Sequence, residues 1–213
     1  EDLSSFYLDI LKDRLYTSGS NSTERRSAQT VLYHILNRLV RVIAPVLCFT
    51  AEEIYKEMPK DADGASTTSV HLLSWIDCPQ DWNNDQIKEQ FAPLAALRPH
   101  VLKALEEARR AGEIGSSLEA KIVFETESDR DWNYLEKNKN MLPASFIVSQ
   151  VDVRKVAEVT RGLSDEFAKT KISILKAQGA KCSRCWNYKI DVGQDPEHQT
   201  LCARCTVIVK EFI

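Results

Sequence analysis

Four of the six cysteines stand in two pairs, Cys182-x2-Cys185 and Cys202-x2-Cys205, with sixteen residues between the pairs. Two cysteines separated by two residues on a tight turn can both reach one ion, and amides of the turn can hydrogen-bond the sulfurs. Two such turns supply four thiolates in a tetrahedron, the arrangement of a structural zinc site with no position left for water. The reading is therefore one structural Zn2+ held by Cys182, Cys185, Cys202 and Cys205. A redox dithiol or an iron–sulfur centre would use the same residue type, but a redox Cys-x-x-Cys normally stands alone on a thioredoxin-like βαβ unit, and that pattern is absent here. His198 could compete as a ligand; with four cysteines already placed it reads as a loop residue. Residues 178–213 are too few for a self-sufficient core. Metal binding is then folding free energy, ~10–16 kcal/mol of apparent stabilisation in peptides of this kind.

Arg184, Trp186 and Tyr188 sit in or directly after the first pair. A Trp beside a rigid metal turn either packs as the module's small core or presents a face to an unstacked base, a contact worth ~1–3 kcal/mol. The module carries five basic residues against four acidic ones. A zinc tetrathiolate adds two negative charges, so the module is near neutral and non-specific attraction to phosphate is weak. Recognition by it would have to come from stacking and directed hydrogen bonds. Elsewhere the chain has no phosphate-binding glycine loop, no dinucleotide fingerprint, no His-Glu-x-x-His and no nucleophile elbow. The histidines His34, His71, His100 and His198 are scattered, and the pairs Glu52-Glu53 and Glu106-Glu107 read as solvated helix faces or caps. No residue asks to be catalytic.

The elements that must carry these residues are mostly helical. Phe6, Ile10, Leu11 and Leu15 have helical spacing over 3–16, and residues 17–23 are a polar link. Over 24–44, Ala28, Val31, Leu32, Ile35, Leu36, Leu39, Val42 and Ile43 make one apolar stripe. Arg25, Arg26, Arg38 and Arg41 lie off it and are candidate phosphate contacts, against the plainer reading of a solvated face. Pro45 breaks or kinks that helix. Thr50-Ala51-Glu52-Glu53 reads as a capping box opening the next one, through about Met58. A loop over 59–69 and a short apolar segment over Val70–Trp75 follow.

Residues 85–111 have a helical pattern with Ile87, Phe91, Leu94, Val101, Leu102, Leu105 and Ala108 inward. Pro93 and Pro99 argue for a break or kink, and Gly112 and Gly115 for the helix end. Residues 119–126, 144–153 and 171–176 read as strands, with a short helix from about Asp131. The expected class is mainly α with a small α/β part: a helical bundle over 1–111, a small α/β unit over 112–177 and a zinc-finger module over 178–213.

Composition agrees with a soluble globular protein, 43% hydrophobic and 28% charged over 213 residues. Seven Gly and seven Pro are few for an all-β chain of this length. No apolar run approaches the ~20 residues that span a bilayer. The first residues lack the pattern of a signal peptide, and the missing initiator Met fits a fragment or a processed chain. Paired Cys-x-x-Cys motifs without a secretion signal point to metal in a reducing cytoplasm. A net charge of −3 is unlike the strongly basic nucleic-acid binders, so any RNA contact must be local.

Several stretches resemble one family in its own order. Residues 6–16 (Phe-Tyr-Leu-Asp-Ile-Leu-Lys-Asp-Arg-Leu-Tyr), 25–30 (Arg-Arg-Ser-Ala-Gln-Thr), 43–45 (Ile-Ala-Pro) and 49–54 (Phe-Thr-Ala-Glu-Glu-Ile) resemble the anticodon-binding helical domain of bacterial isoleucyl-tRNA synthetases. Residues 114–120 (Ile-Gly-Ser-Ser-Leu-Glu-Ala) resemble the element after that bundle. Residues 181–188 (Lys-Cys-Ser-Arg-Cys-Trp-Asn-Tyr), 191–193 and 201–205 (Leu-Cys-Ala-Arg-Cys) resemble the family's C-terminal zinc finger. Pro99 departs from the pattern.

The resemblance implies a class I ligase that joins isoleucine to its tRNA, using ATP and Mg2+ in a catalytic domain whose motifs do not occur here. This chain would be its tRNA-binding part, without chemistry of its own. Its partners would be the anticodon stem-loop of isoleucine tRNA and the catalytic and editing domains of the same polypeptide. A monomer without membrane contact is expected. By the resemblance, Arg184 and Trp186 match finger positions that contact the anticodon loop. Two other readings compete: a stand-alone zinc module holding RNA or DNA non-specifically, since similar fingers occur in DNA-repair glycosylases, and a zinc staple with no RNA affinity of its own.

Overall fold

The structure is a computed structural model and describes residues 2–59, 68–160 and 162–211. In chain order, a π-helical turn Asp2–Tyr7 leads into α1 (Leu8–Ile10) and α2 (Lys12–Thr17), followed by α3 (Thr23–Ile43), α4 (Cys48–Glu57) and α5 (Asp85–Arg110). Then come β1 (Ala120–Thr126), α6 (Asp129–Lys137), α7 (Leu142–Phe146), β2 (Gln150–Lys155), β3 (Thr170–Lys176), β4 (Ala180–Lys181), β5 (Tyr188–Lys189) and α8 (Ala203–Lys210). The expected class, mainly α with a small α/β part, is met.

By packing, the residues group into two compact units, one of 1–19 with 86–213 and one of 20–85. This grouping cuts across the division at 111 and 177 drawn from the sequence. The reason is that α5 buries Leu94, Leu97, Val101 and Leu105 in the core that also holds the sheet. The N-terminal turns join the same unit: Arg98 donates to the carbonyls of Ser145 (2.6 Å) and Ser5 (3.4 Å) and lies over the Phe6 ring.

In the larger unit the sheet order is β2-β1-β3, with β1 parallel to β2 and antiparallel to β3. Register alternates cleanly. Ile122 pairs with Val151 and Ile174, and Phe124 with Val153 and Ile172, so one face is apolar. The intervening positions carry ion pairs across strands, Lys121 to Asp152 (3.5 Å) and Lys171 to Glu125 (3.4 Å). Helices α5, α6 and α7 contribute to the core that covers the apolar face. Gly112, at φ 73°, closes α5 as expected, with the Glu113 amide donating to the Ala108 carbonyl.

Several expectations are corrected here. Residues 144–153 are not one strand, because Pro143, placed in the first turn of α7, favours a helix start. Ile147, at φ 57°, then ends α7 before β2 begins at Gln150. Of the break or kink expected at Pro93 and Pro99, the break does not occur: α5 is continuous from Asp85 to Arg110. Ile87, Phe91 and Leu102 are exposed while Leu97 is fully buried.

In the smaller unit, Ser22 caps α3 by accepting from the Arg25 amide (3.3 Å). The buried core is Val40, Ala44, Ala51, Tyr55, Met58 and Val70, with Tyr33, Leu36 and Ile43 packed against it. The stripe read from the sequence was too wide: Val31, Leu39 and Val42 are exposed. The α3 side chains in this core are Tyr33, Leu36, Val40 and Ile43, a narrower face, packed with residues of α4 and with Val70. The capping box does not form. α4 begins at Cys48, which puts Thr50 inside it. Glu52 instead accepts from the Ser69 hydroxyl (2.8 Å) and the Val70 amide (3.0 Å), holding the loop end onto the helix. Most of the predicted 59–69 loop lies outside the described residues.

Candidate metal centre

The cysteine module is built from two turns held by short elements. β4 and β5 pair with Ala180 opposite Lys189 and Lys181 opposite Tyr188. The first turn lies between them: the Cys182 amide donates to the Asn187 carbonyl (2.9 Å) and the Trp186 amide to the Cys182 carbonyl (2.9 Å). Gly179 enters the hairpin at φ 92°, where a Cβ would stand 2.2 Å from the Lys189 carbonyl oxygen, so only glycine fits. The second turn is the start of α8, with Cys202 at its N-cap. Asp191 steadies it by accepting from the Ala203 amide (3.3 Å).

These turns bring Cys182, Cys185, Cys202 and Cys205 together, all buried, with their sulfurs within 4.8 Å of one another. Cys185 Sγ and Cys202 Sγ are 3.9 Å apart. Sulfurs at ~2.3 Å from a tetrahedral zinc lie about 3.8 Å from one another, so the four fit that ion. The Cys202 amide points at Cys182 Sγ (3.4 Å), a bond suited to a thiolate. His198 is not among the converging groups.

The protonation chemistry agrees with a cation site. A hydrogen bond from Cys205 leads the effects that hold the Cys185 thiol down to about 4, against its burial. Burial pushes Cys202 up, and the bond to Cys185 pushes Cys205 up, with burial adding to it. A divalent cation is what lets all four ionise.

The predicted RNA residues are distributed as follows. Trp186 is 60% exposed and sits at φ 64°, with Lys181 Nζ 5.2 Å from its ring centre. It does not serve as a mini-core. Arg184 is turned inward: its Nη1 donates to the Thr17 carbonyl of α2 and lies 3.7 Å from Cys205 Sγ. Arg38 donates to the carbonyls of His34 and Asp77 and lies 4.8 Å from the Trp82 ring centre. Arg41 binds Asn37 and the Ser74 carbonyl (2.7 Å). Both arginines fasten the 74–77 segment to α3. Arg26 is exposed and Arg25 is half-buried.

Comparison with known proteins agrees with this arrangement. The family model described as "Anticodon-binding domain of tRNA ligase" matches residues 1–124, more than half of the chain. The chain belongs to this family. A second model, "Zinc finger found in FPG and IleRS", matches residues 179–207 and takes in all four cysteines and Trp186. Over 211 residues the chain is 44% identical to an isoleucine–tRNA ligase of Syntrophotalea carbinolica, covering 99% of this chain and 22% of that protein. It is 42% identical over 209 residues to the isoleucine–tRNA ligase of Fervidobacterium nodosum and 40% identical over 209 residues to that of Geobacter sulfurreducens, with 98% of this chain covered in each. The chain thus spans about a fifth of the length of these ligases (22%). The resemblance drawn from the sequence is confirmed. Among the described residues no helix is long and apolar enough to cross a membrane.

Two residues of this anticodon-binding family member were not singled out from its sequence. Arg204 forms a two-pronged pair with Asp13 (Nη1–Oδ2 2.6 Å, Nη2–Oδ1 2.7 Å). Burial alone would raise the Asp13 carboxyl, but the bond and charge of Arg204, with Thr17 and Lys189, outweigh it and hold the group below its ordinary value. The partners are 191 residues apart, and no local pattern signals such a contact.

Proposed function

We propose that this chain is the tRNA-reading portion of an isoleucine–tRNA ligase, acting as a monomer in the cytoplasm. It grips the anticodon stem-loop of isoleucine tRNA. ATP- and Mg2+-dependent aminoacylation and editing belong to other domains of the same polypeptide. The observation that carries this reading is Trp186: a large aromatic held directly after the first cysteine turn, with most of its surface in solvent and a lysine beside it. Burial does not account for that placement, and stacking with an unpaired base does. The match to isoleucine–tRNA ligases over almost all of the chain supports the choice of tRNA. Arg26, exposed on α3, is the first candidate among the helix arginines for a phosphate contact. Arg25, Arg38 and Arg41 add positive charge along the same helix. The zinc is structural, since four thiolates leave it no open position.

The test is a titration of the zinc-loaded chain with an isoleucine tRNA transcript and with the same transcript carrying a changed anticodon, at near-physiological salt. Tighter binding to the correct anticodon, weakened by Trp186→Ala at unchanged zinc content, is expected. Equal binding to both transcripts with a steep salt dependence would assign a non-specific nucleic-acid grip instead. Negligible binding of both would leave the finger a staple.

A further inference from the structure

The two metal turns share a residue pattern beyond their cysteines. They read Cys-Ser-Arg-Cys and Cys-Ala-Arg-Cys, with Arg184 and Arg204 each just before the second cysteine. Both arginines reach the same short helix, α2, Arg204 at Asp13 in its first turn and both at Thr17 at its end. Asp13 and Thr17 lie four residues apart on one face of α2, and the Thr17 hydroxyl bonds the Asp13 carbonyl (2.7 Å) and carboxylate (3.0 Å). Arg204 takes both Asp13 oxygens and also donates to Thr17 Oγ1 (3.2 Å). Arg184 donates to the Thr17 carbonyl, one of those a helix end leaves without a partner. The same Arg184 nitrogen stands 3.7 Å from the sulfur of Cys205.

The geometry points to a metal-dependent latch: Arg184 and Arg204 dock α2 onto the finger, and only a finger closed on its zinc presents the two guanidinium groups in the register that Asp13 and Thr17 require. The two arginines lie on separate turns, whose main link besides the ion is a few bonds such as the Cys202 amide to Cys182 Sγ and the Ser183 amide to the Thr200 carbonyl. A single ion sets the distance between the turns and therefore between the arginines. Arg184 extends the coupling directly, because its guanidinium spans a metal-binding sulfur and the end of the helix. The latch joins the two ends of the chain and uses the arginines as intramolecular ties. This role differs from the phosphate contact that their charge suggests, and it does not depend on what the finger recognises.

The experiment is amide hydrogen exchange followed by mass spectrometry on the full chain, comparing the zinc-loaded protein, Arg204→Ala, Asp13→Ala, the exchanged pair Asp13→Arg with Arg204→Asp, and protein stripped with a chelator. Breaking a charged two-pronged bond should cut protection of the α2 amides (residues 12–17) roughly tenfold. Each single variant should do so while zinc content and β1 protection stay unchanged. Stripping the zinc should release α2 to at least the same extent, and the exchanged pair should recover part of the protection. Unchanged α2 protection in zinc-loaded Arg204→Ala would overturn the latch. So would full α2 protection in the stripped protein, since docking would then be independent of the metal.

Discussion

Replacing Trp186 by Gly and, separately, by Ala tests whether its backbone is strained for the sake of the ring. At φ 64° the residue occupies the left-handed region, which costs a non-glycine residue roughly 1–2 kcal/mol. Both variants delete the same side-chain contacts, and both keep the amide that donates to the Cys182 carbonyl at 2.9 Å. Their difference is therefore a backbone term. Glycine escapes the strain but loses ~0.5–1 kcal/mol more chain entropy on folding. The balance favours Gly over Ala by about 0.8 kcal/mol, the reverse of the usual order. Because zinc binding and folding of such a module are one equilibrium, this should appear as about a fourfold higher zinc affinity for the Gly variant. Competition with a chromophoric chelator measures it. Both variants should lose the same ~1–3 kcal/mol of tRNA affinity if the ring stacks on a base. An Ala variant that holds zinc as tightly as the Gly variant, or more tightly, refutes the strain argument.

Other outcomes follow from the same geometry. Phe124→Ala, at a fully buried position in the larger core, should cost about 3–5 kcal/mol in denaturant unfolding. Cys202→Ala removes both a metal ligand and the residue at the start of α8; zinc content should fall, and exchange protection should be lost over 179–211 while β1–β3 keep theirs. The bonds from Ser69 and Val70 hold the Glu52 carboxyl below its ordinary value. Its stabilising effect is therefore full above the unfolded-state value of about 4.3 and is lost as pH falls through the lower folded-state value. Glu52→Gln should thus be less stable than wild type near neutrality, with a deficit in denaturant midpoint that shrinks on acidification below about pH 4. A deficit that stays constant with pH would argue against the carboxylate bonds.

What could be read from the chain alone was whatever is local. The metal site is specified by two short spacings, each complete within a turn, so Cys182, Cys185, Cys202 and Cys205 were legible before any coordinates. The helices over 24–44 and 85–111, the strands near 120–126 and 170–176, and the glycine that ends α5 were legible for the same reason: periodicity and backbone preference act over a few residues. Elements that hang on a competition between neighbours were not. Thr50 looked like a cap, yet α4 starts two residues earlier and gives Glu52 to the loop end instead. The run 144–153 is apolar enough for a strand, but Pro143 and the left-handed Ile147 divide it.

The tertiary structure alone decided where charge is spent. Arg38 and Arg41 looked like free cations on a helix face and are largely taken up by carbonyls of the 74–77 segment. Arg184 looked like a surface residue beside Trp186 and lies between a sulfur and the end of α2. Arg204 and Asp13 meet across 191 residues. A guanidinium has the same composition and local context whether it faces water, phosphate or protein. Which of these it meets depends on what the rest of the chain brings beside it, and that is settled by long-range packing, which no short window of sequence contains.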